Sequence, residues 1–127
     1  MGRNFRKIEA WVLADELVIL IYKFTAKFPK EETYGLTSQM KRSAISVASN
    51  IAEGCGRRSK KDYLRFLYIA LASLSEIEYY IHLGEKLGYL NNKDCEILET
   101  KRRHAAGKLF RLIELIEDEI KKFQVNC

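Results

Sequence analysis

Residues that bend chains and residues that carry chemistry are both scarce in this sequence. One proline, Pro29, and seven glycines occur in 127 residues. That is too few turn formers for a many-stranded β fold and suits a few long helices. Cysteine is limited to Cys55, Cys95 and Cys127. An odd number in no metal-like spacing argues against a disulfide framework and reads as reduced thiols in a cytoplasmic protein. The two histidines, His82 and His104, belong to different predicted helices and lack H-x-x-x-H or E-x-x-H partners, so no metal site is expected. No stretch approaches the roughly 18 uncharged apolar residues of a membrane span. The basic start, Met1 to Lys7, leads into a run carrying Glu9, Asp15 and Glu16 rather than a signal-peptide core. No nucleophile–base–orienter set is visible, so neither catalysis nor a cofactor is expected.

Apolar residues make up 47% of the chain and charged residues 31%, with a net charge of +5. That composition describes one globular domain, residues 1–127, whose basic balance favours acidic partners, nucleic acid first. The apolar residues recur at three and four. Trp11, Ala14, Leu17, Ile21, Phe24 and Phe28 predict a first helix from about Ile8 to Lys27, stopped by Pro29. Leu36, Met40, Ala44, Val47 and Ile51 predict a second, with Thr37 or Ser38 as its cap and Gly54 or Gly56 in the left-handed terminating position. Tyr63, Phe66, Leu67, Ala70, Leu74, Ile77 and Ile81 predict a third, opened by Ser59 with Asp62 three residues on and closed at Gly88. Cys95, Leu98, Ala105, Leu109, Leu112, Ile116 and Ile120 predict a fourth behind Asn91 or Asn92, its seam interrupted by Arg102. Short connections make the helices antiparallel neighbours, an all-α up-down-up-down four-helix bundle. The first and third helices carry apolar residues beyond one stripe, which points to a homo-oligomer.

Two basic segments are candidate nucleic-acid contacts. The first is Arg57, Arg58, Lys60 and Lys61, after Gly54-Cys55-Gly56. It lacks the G-x-x-x-x-G-K-[ST] pattern and a preceding strand, so it is no P-loop. It reads either as a helix junction with solvated charges or as phosphate contacts beside a helix N-terminus. The second is Lys101, Arg103, His104, Lys108 and Arg111. It reads either as a backbone-tracking stripe, or as a solvated face or one salt-bridged between protomers to the acidic last turns. Gln39, Arg42, Asn50 and Glu53 fall near one face of the second helix and read as a buried or interface polar network that fixes helix register. Glu53 as a catalytic base is the weaker alternative, for want of a nucleophile beside it.

The order Phe28-Pro29-Lys30-Glu31-Glu32, Tyr34-Gly35-Leu36-Thr37-Ser38-Gln39-Met40-Lys41-Arg42, Asn50-Ile51-Ala52-Glu53-Gly54, Gly56-Arg57 and Phe66-Leu67-x-Ile69-Ala70 resembles one family. It is the bacterial four-helix-bundle family encoded within intervening sequences of 23S rRNA genes. The accessory variability determinant of diversity-generating retroelements is similar to it. The likeness is strongest over residues 5 to 85. It implies a protomer that assembles into a homo-oligomeric ring, typically a pentamer, with no known catalysis. From the retroelement relatives it implies a basic surface that binds RNA or DNA and a partner such as a reverse transcriptase. A protein–protein assembly scaffold without a nucleic-acid role is the alternative.

Overall fold

The structure, a computed structural model, describes residues 4–126. Met1 to Arg3 and the thiol of Cys127 lie outside the described residues. Four helices follow a short 3-10 turn at Phe5–Lys7: α1 (Glu9–Thr25), α2 (Leu36–Cys55), α3 (Lys60–Lys86) and α4 (Asn92–Asn126). A second 3-10 turn, Lys30–Glu32, lies between α1 and α2, and no strand occurs among the described residues. Each helix packs on its sequence neighbours, and α4 closes the arrangement on α1. Ion pairs show the antiparallel register: Lys101 meets Glu16 and Lys108, one turn pair further along α4, meets the earlier Glu9.

Each helix buries the stripe its periodicity announces. Ala10, Ala14, Leu17, Ile21 and Phe24 of α1 are buried together with Met40, Ala44, Val47 and Ile51 of α2. Tyr63, Leu67, Ala70, Leu74, Ile77 and Ile81 of α3 and Leu98, Ala105, Leu109, Ile113 and Ile116 of α4 complete the core. Full burial of one such aliphatic or aromatic side chain contributes about 1.5–3 kcal/mol. The seam of α4 runs through Ile113 as well as Ile116, while Leu112 is only half-buried. Arg102 does sit in that seam and is buried. It donates to Glu99 through Nε (2.5 Å) and Nη2 (3.0 Å) and approaches Glu78 of α3 at 3.5 Å. The paired carboxylates hold its charge, and its pKa is raised further above the usual arginine value chiefly by the Glu99 bond.

The caps of α3 and α4 form where the sequence places them. Ser59 Oγ accepts from the Asp62 N–H at 3.0 Å. Asn91 and Asp94 exchange side-chain bonds with each other's N–H groups, a reciprocal box. Gly88 ends α3 with φ +80°. Its N–H donates to Glu85 and that of Tyr89 donates to Gly84, the paired bonds of a left-handed helix stop.

Three boundaries differ from expectation. α1 stops at Thr25, because the last turn tightens to i→i−3 bonds at Lys27 and Phe28 before Pro29. Neither Thr37 nor Ser38 caps α2. Glu32 does so from outside, its Oε1 accepting from the Leu36 N–H at 3.0 Å and its Oε2 from the Tyr89 hydroxyl at 2.9 Å. The two bonds, the backbone one first, hold the Glu32 carboxyl below its usual range. At the other end of α2 neither Gly54 nor Gly56 is left-handed. Gly56 stays at φ −87° and Gly54 is buried inside the helix. A methyl on Gly54 would lie 2.8 Å from Phe66 Cβ, so this glycine lets α2 and α3 approach closely where they converge.

Candidate nucleic-acid interface

The close approach at Gly54 shapes the corner that follows it. α2 ends at Cys55, four residues turn the chain, and α3 starts at Lys60. Arg57 Nη2 reaches back one turn to Glu53 Oε2 at 2.6 Å, and its Nε faces Asp62 Oδ2 at 3.8 Å. Asp62 accepts from Arg65 Nε at 3.2 Å and Nη2 at 2.9 Å. Both guanidinium carbons stand 4.6 Å from the centre of the Phe66 ring, a distance at which cation–π attraction holds the groups in place. Lys60 meets Glu119 of α4 at 3.3 Å. Arg58 and Lys61 are exposed, with no ion pair described for either. The corner encloses an open basin of about 780 Å³ with Arg57, Arg58, Lys61 and Arg65 on its walls.

Arg65 and Phe66 belong to this site although the basic run at 57–61 did not include them. The signal was present: Asp62 and Arg65 are three apart, and Lys61 and Arg65 are four apart, so all share the exposed side of the first turn of α3.

The α4 stripe is arranged differently. Lys101 Nζ lies 2.6 Å from Glu16 and Lys108 Nζ 3.4 Å from Glu9, both on α1, and Arg103 Nε lies 3.3 Å from Glu99. Only His104 and Arg111 of the five predicted residues are exposed without a described ion pair. Most of this stripe is salt-bridged, but to carboxylates of α1 and α4 in the same protomer rather than to the acidic last turns of another one. Arg111 and Lys108 share a smaller cleft of about 340 Å³ with Lys7 and the start of α1.

The four residues expected to form one polar network do not do so within the protomer. Gln39, Arg42 and Glu53 are exposed. Glu53 bonds Arg57 on its own helix, and only Asn50 joins its neighbours, donating to the carbonyl and hydroxyl oxygens of Ser46. The network between α2 and α3 is instead Ser43 donating to Glu76 at 3.1 Å and Ser73 donating to Ser46 at 2.9 Å. The serines win because their short side chains reach across where the helices lie close. Longer Arg42 and Glu53 leave the contact for solvent.

Among the described residues no three of His, Cys, Asp and Glu are placed to hold a metal ion. Cys55 and Cys95 are buried, and burial pushes the Cys95 thiol up from its ordinary pKa, with Glu85, Asp94 and Glu99 adding to the effect. No described helix is long and apolar enough to cross a membrane. Apolar surface remains on the outside: Ile19, Tyr22 and Ile45 on α1 and α2, Ile69 and Tyr79 on α3, and Tyr34, 96% exposed, before α2. An apolar groove of about 320 Å³ runs between α1 and α2 past Trp11, Val18, Ile45 and Ala48.

A family model described as 23S rRNA-intervening sequence protein matches residues 6–111. The match includes more than half of α4 as well as the segment that carries the motifs. Among solved structures, a protein of unknown function from the S23 ribosomal protein family of Bacteroides thetaiotaomicron is similar to this chain. The TM-score is 0.74 and the identity 24%, over 82% of this chain and 97% of that one. At that identity the likeness establishes the shared fold. No curated protein matches the chain.

Proposed function

Because the chain belongs to the 23S rRNA-intervening sequence protein family, we propose that it is a non-enzymatic, oligomeric helical protein that binds RNA or DNA with low sequence specificity. The α2–α3 corner carries this reading. Four cationic side chains face one open basin there; Asp62 lies among them and Glu53 pairs with Arg57 from outside it. Arg58 and Lys61 have no described ion pair to lose on binding. Contacts of this kind go to the phosphate backbone and carry no sequence information. The α4 stripe contributes through His104 and Arg111 and adds to the field around them. A non-enzymatic role fits Glu53, the one carboxylate weighed as a base, which is engaged by Arg57.

The exposed Ile19, Tyr22 and Ile45 and the groove beside them, with Ile69 and Tyr79 on α3, supply the apolar faces for self-association. The proposed assembly is a cytoplasmic homo-oligomeric ring, a pentamer by the family resemblance, presenting one basic corner per protomer. A nucleic-acid-processing enzyme such as a reverse transcriptase is a compatible partner. The second reading, a protein–protein scaffold, is favoured by the same apolar faces and by the neutralised lysines of α4.

Light scattering with and without a structured RNA, at low and at high salt, tests both. Ring mass with RNA bound at low salt and released at high salt is the expected result. For about six neutralised phosphates on a duplex the log–log salt slope is near −5. A ring that ignores RNA at every salt concentration overturns the nucleic-acid reading and leaves the scaffold. A monomer overturns the assembly.

A further inference from the structure

Given that nucleic-acid reading, the geometry points to the basin at the α2–α3 corner as a receptor for a terminal phosphate of a nucleic-acid strand, a phosphomonoester rather than an internal diester. The shape of the site is the first reason. A surface that tracks a strand strings its cations along a line, one for each successive phosphate. Here Arg57, Arg58, Lys61 and Arg65 line one open basin of about 780 Å³ rather than forming a row.

The charge is the second reason. The walls carry four cations and the carboxylate of Asp62, and Glu53 offsets Arg57 from outside, which leaves about two positive charges uncompensated. Asp62 is committed: it accepts two bonds from Arg65, and its N–H is taken by Ser59. An internal phosphodiester brings one negative charge. A terminal phosphate brings about two and three acceptor oxygens at one point, which suits converging donors better. Arg58, with no described ion pair, can offer such a group its planar fork, and Lys61 a point charge.

Preorganisation is the third reason. The guanidiniums of Arg57 and Arg65 are pinned at the Phe66 ring and linked through Asp62. Ordering them before the ligand arrives lowers the entropic cost of binding. Arg58 and Lys61 are exposed, with no described ion pair to break before they close on the incoming oxygens. Among the described residues no aromatic ring lines the basin, so the terminal base is not stacked and any sequence is accepted.

The test is fluorescence anisotropy on the full chain with one short single-stranded RNA in three forms: 5′-phosphate, 3′-phosphate, and hydroxyl at both ends. One charge-assisted hydrogen bond suffices for about a tenfold preference. A phosphorylated form, at either end, binding about tenfold or more tightly than the hydroxyl form is the expected result, and the three forms identify which end is read. The double variant Arg58→Ala/Lys61→Ala should lose that preference. Lys86→Ala/Lys93→Ala, at the far end of the bundle, should keep it. Equal binding of all three forms, lost in the Arg58→Ala/Lys61→Ala variant, overturns the end-phosphate proposal while the nucleic-acid reading stands. Absence of binding by every form overturns both. A preference that survives in the double variant places the end phosphate elsewhere and overturns this assignment.

Discussion

Gly54→Ala offers the sharpest check on how the α2–α3 corner is built. In a helix interior, alanine is normally better than glycine by about 0.8–1.0 kcal/mol. At Gly54 the added carbon would lie 2.8 Å from Phe66 Cβ, 3.1 Å from Tyr63 Cδ1 and 3.3 Å from the Tyr63 carbonyl oxygen. Phe66 Cβ and the Tyr63 carbonyl are backbone or next to it, so the helices themselves must separate. Overpacking of that kind costs about 1–3 kcal/mol. Subtracting the propensity gain leaves a net loss of up to about 2 kcal/mol. Gly107→Ala supplies the internal control. It lies inside α4, exposed, with nothing within 4 Å of the added carbon. There the propensity term acts alone, and a gain of about 0.4–1 kcal/mol is expected. Urea unfolding of the three proteins at one protein concentration measures both. The midpoints should fall in the order Gly107→Ala above wild type above Gly54→Ala. A Gly54→Ala protein stabilised as much as Gly107→Ala would refute the close approach, and with it the geometry that presents Arg57 and Arg65 on Phe66.

Two further outcomes follow from the ion pairs and caps. Charge reversal of Lys101, Arg103 and Lys108 to Glu sets each new carboxylate against Glu16, Glu99 or Glu9. A loss of about 1–2 kcal/mol in unfolding free energy is expected, whereas the Arg58→Ala/Lys61→Ala variant should match wild type in the same assay. Equal stability of the reversed protein would show that these bridges do not form. The Glu32 carboxyl is held below its usual pKa by the Leu36 N–H and the Tyr89 hydroxyl. Its contribution is therefore complete above the unfolded value of 4.5 and is lost as pH falls through the lower folded value. The Tyr89 phenol is raised by the same bond, so its contribution holds below its ordinary value of 10.0 and is lost as pH rises through the folded one. Thermal unfolding of wild type and Glu32→Gln across acid pH should show a gap at neutral pH that narrows in acid. A constant gap would contradict the cap.

Much of the architecture was legible in sequence. Spacing at three and four marked each buried stripe, and Ser59, Asn91 and Gly88 marked helix ends, because those signals act within a few residues. Signals that depend on the partner helix were not legible. Periodicity placed Gln39, Arg42, Asn50 and Glu53 on one side of α2 but did not say that serines would reach α3 there. Glu32 caps α2 from a separate 3-10 turn, so a search for a Ser or Thr at the helix start passes over it. The same limit applies to the candidate site. The run at 57–61 was visible as a charge cluster, but its arginine–phenylalanine contacts require α2 and α3 to be docked. The charges of Lys101 and Lys108 looked available until α1 supplied their carboxylates.

The contact of α4 with α1 has a consequence for synthesis. Lys101 and Glu16 are separated by 85 residues, so the surface of α1 that meets α4 waits until most of the chain has left the ribosome. The hairpin of α2 and α3 brings together residues much nearer in sequence, such as Ser46 and Ser73, and has its partners earlier. A nascent chain halted before α4 would leave uncovered the surfaces of α1 and α3 on which α4 packs. Such exposed surface invites aggregation or chaperone capture. The last helix thus acts as the clasp of the fold, and closure is a late event in the life of each chain.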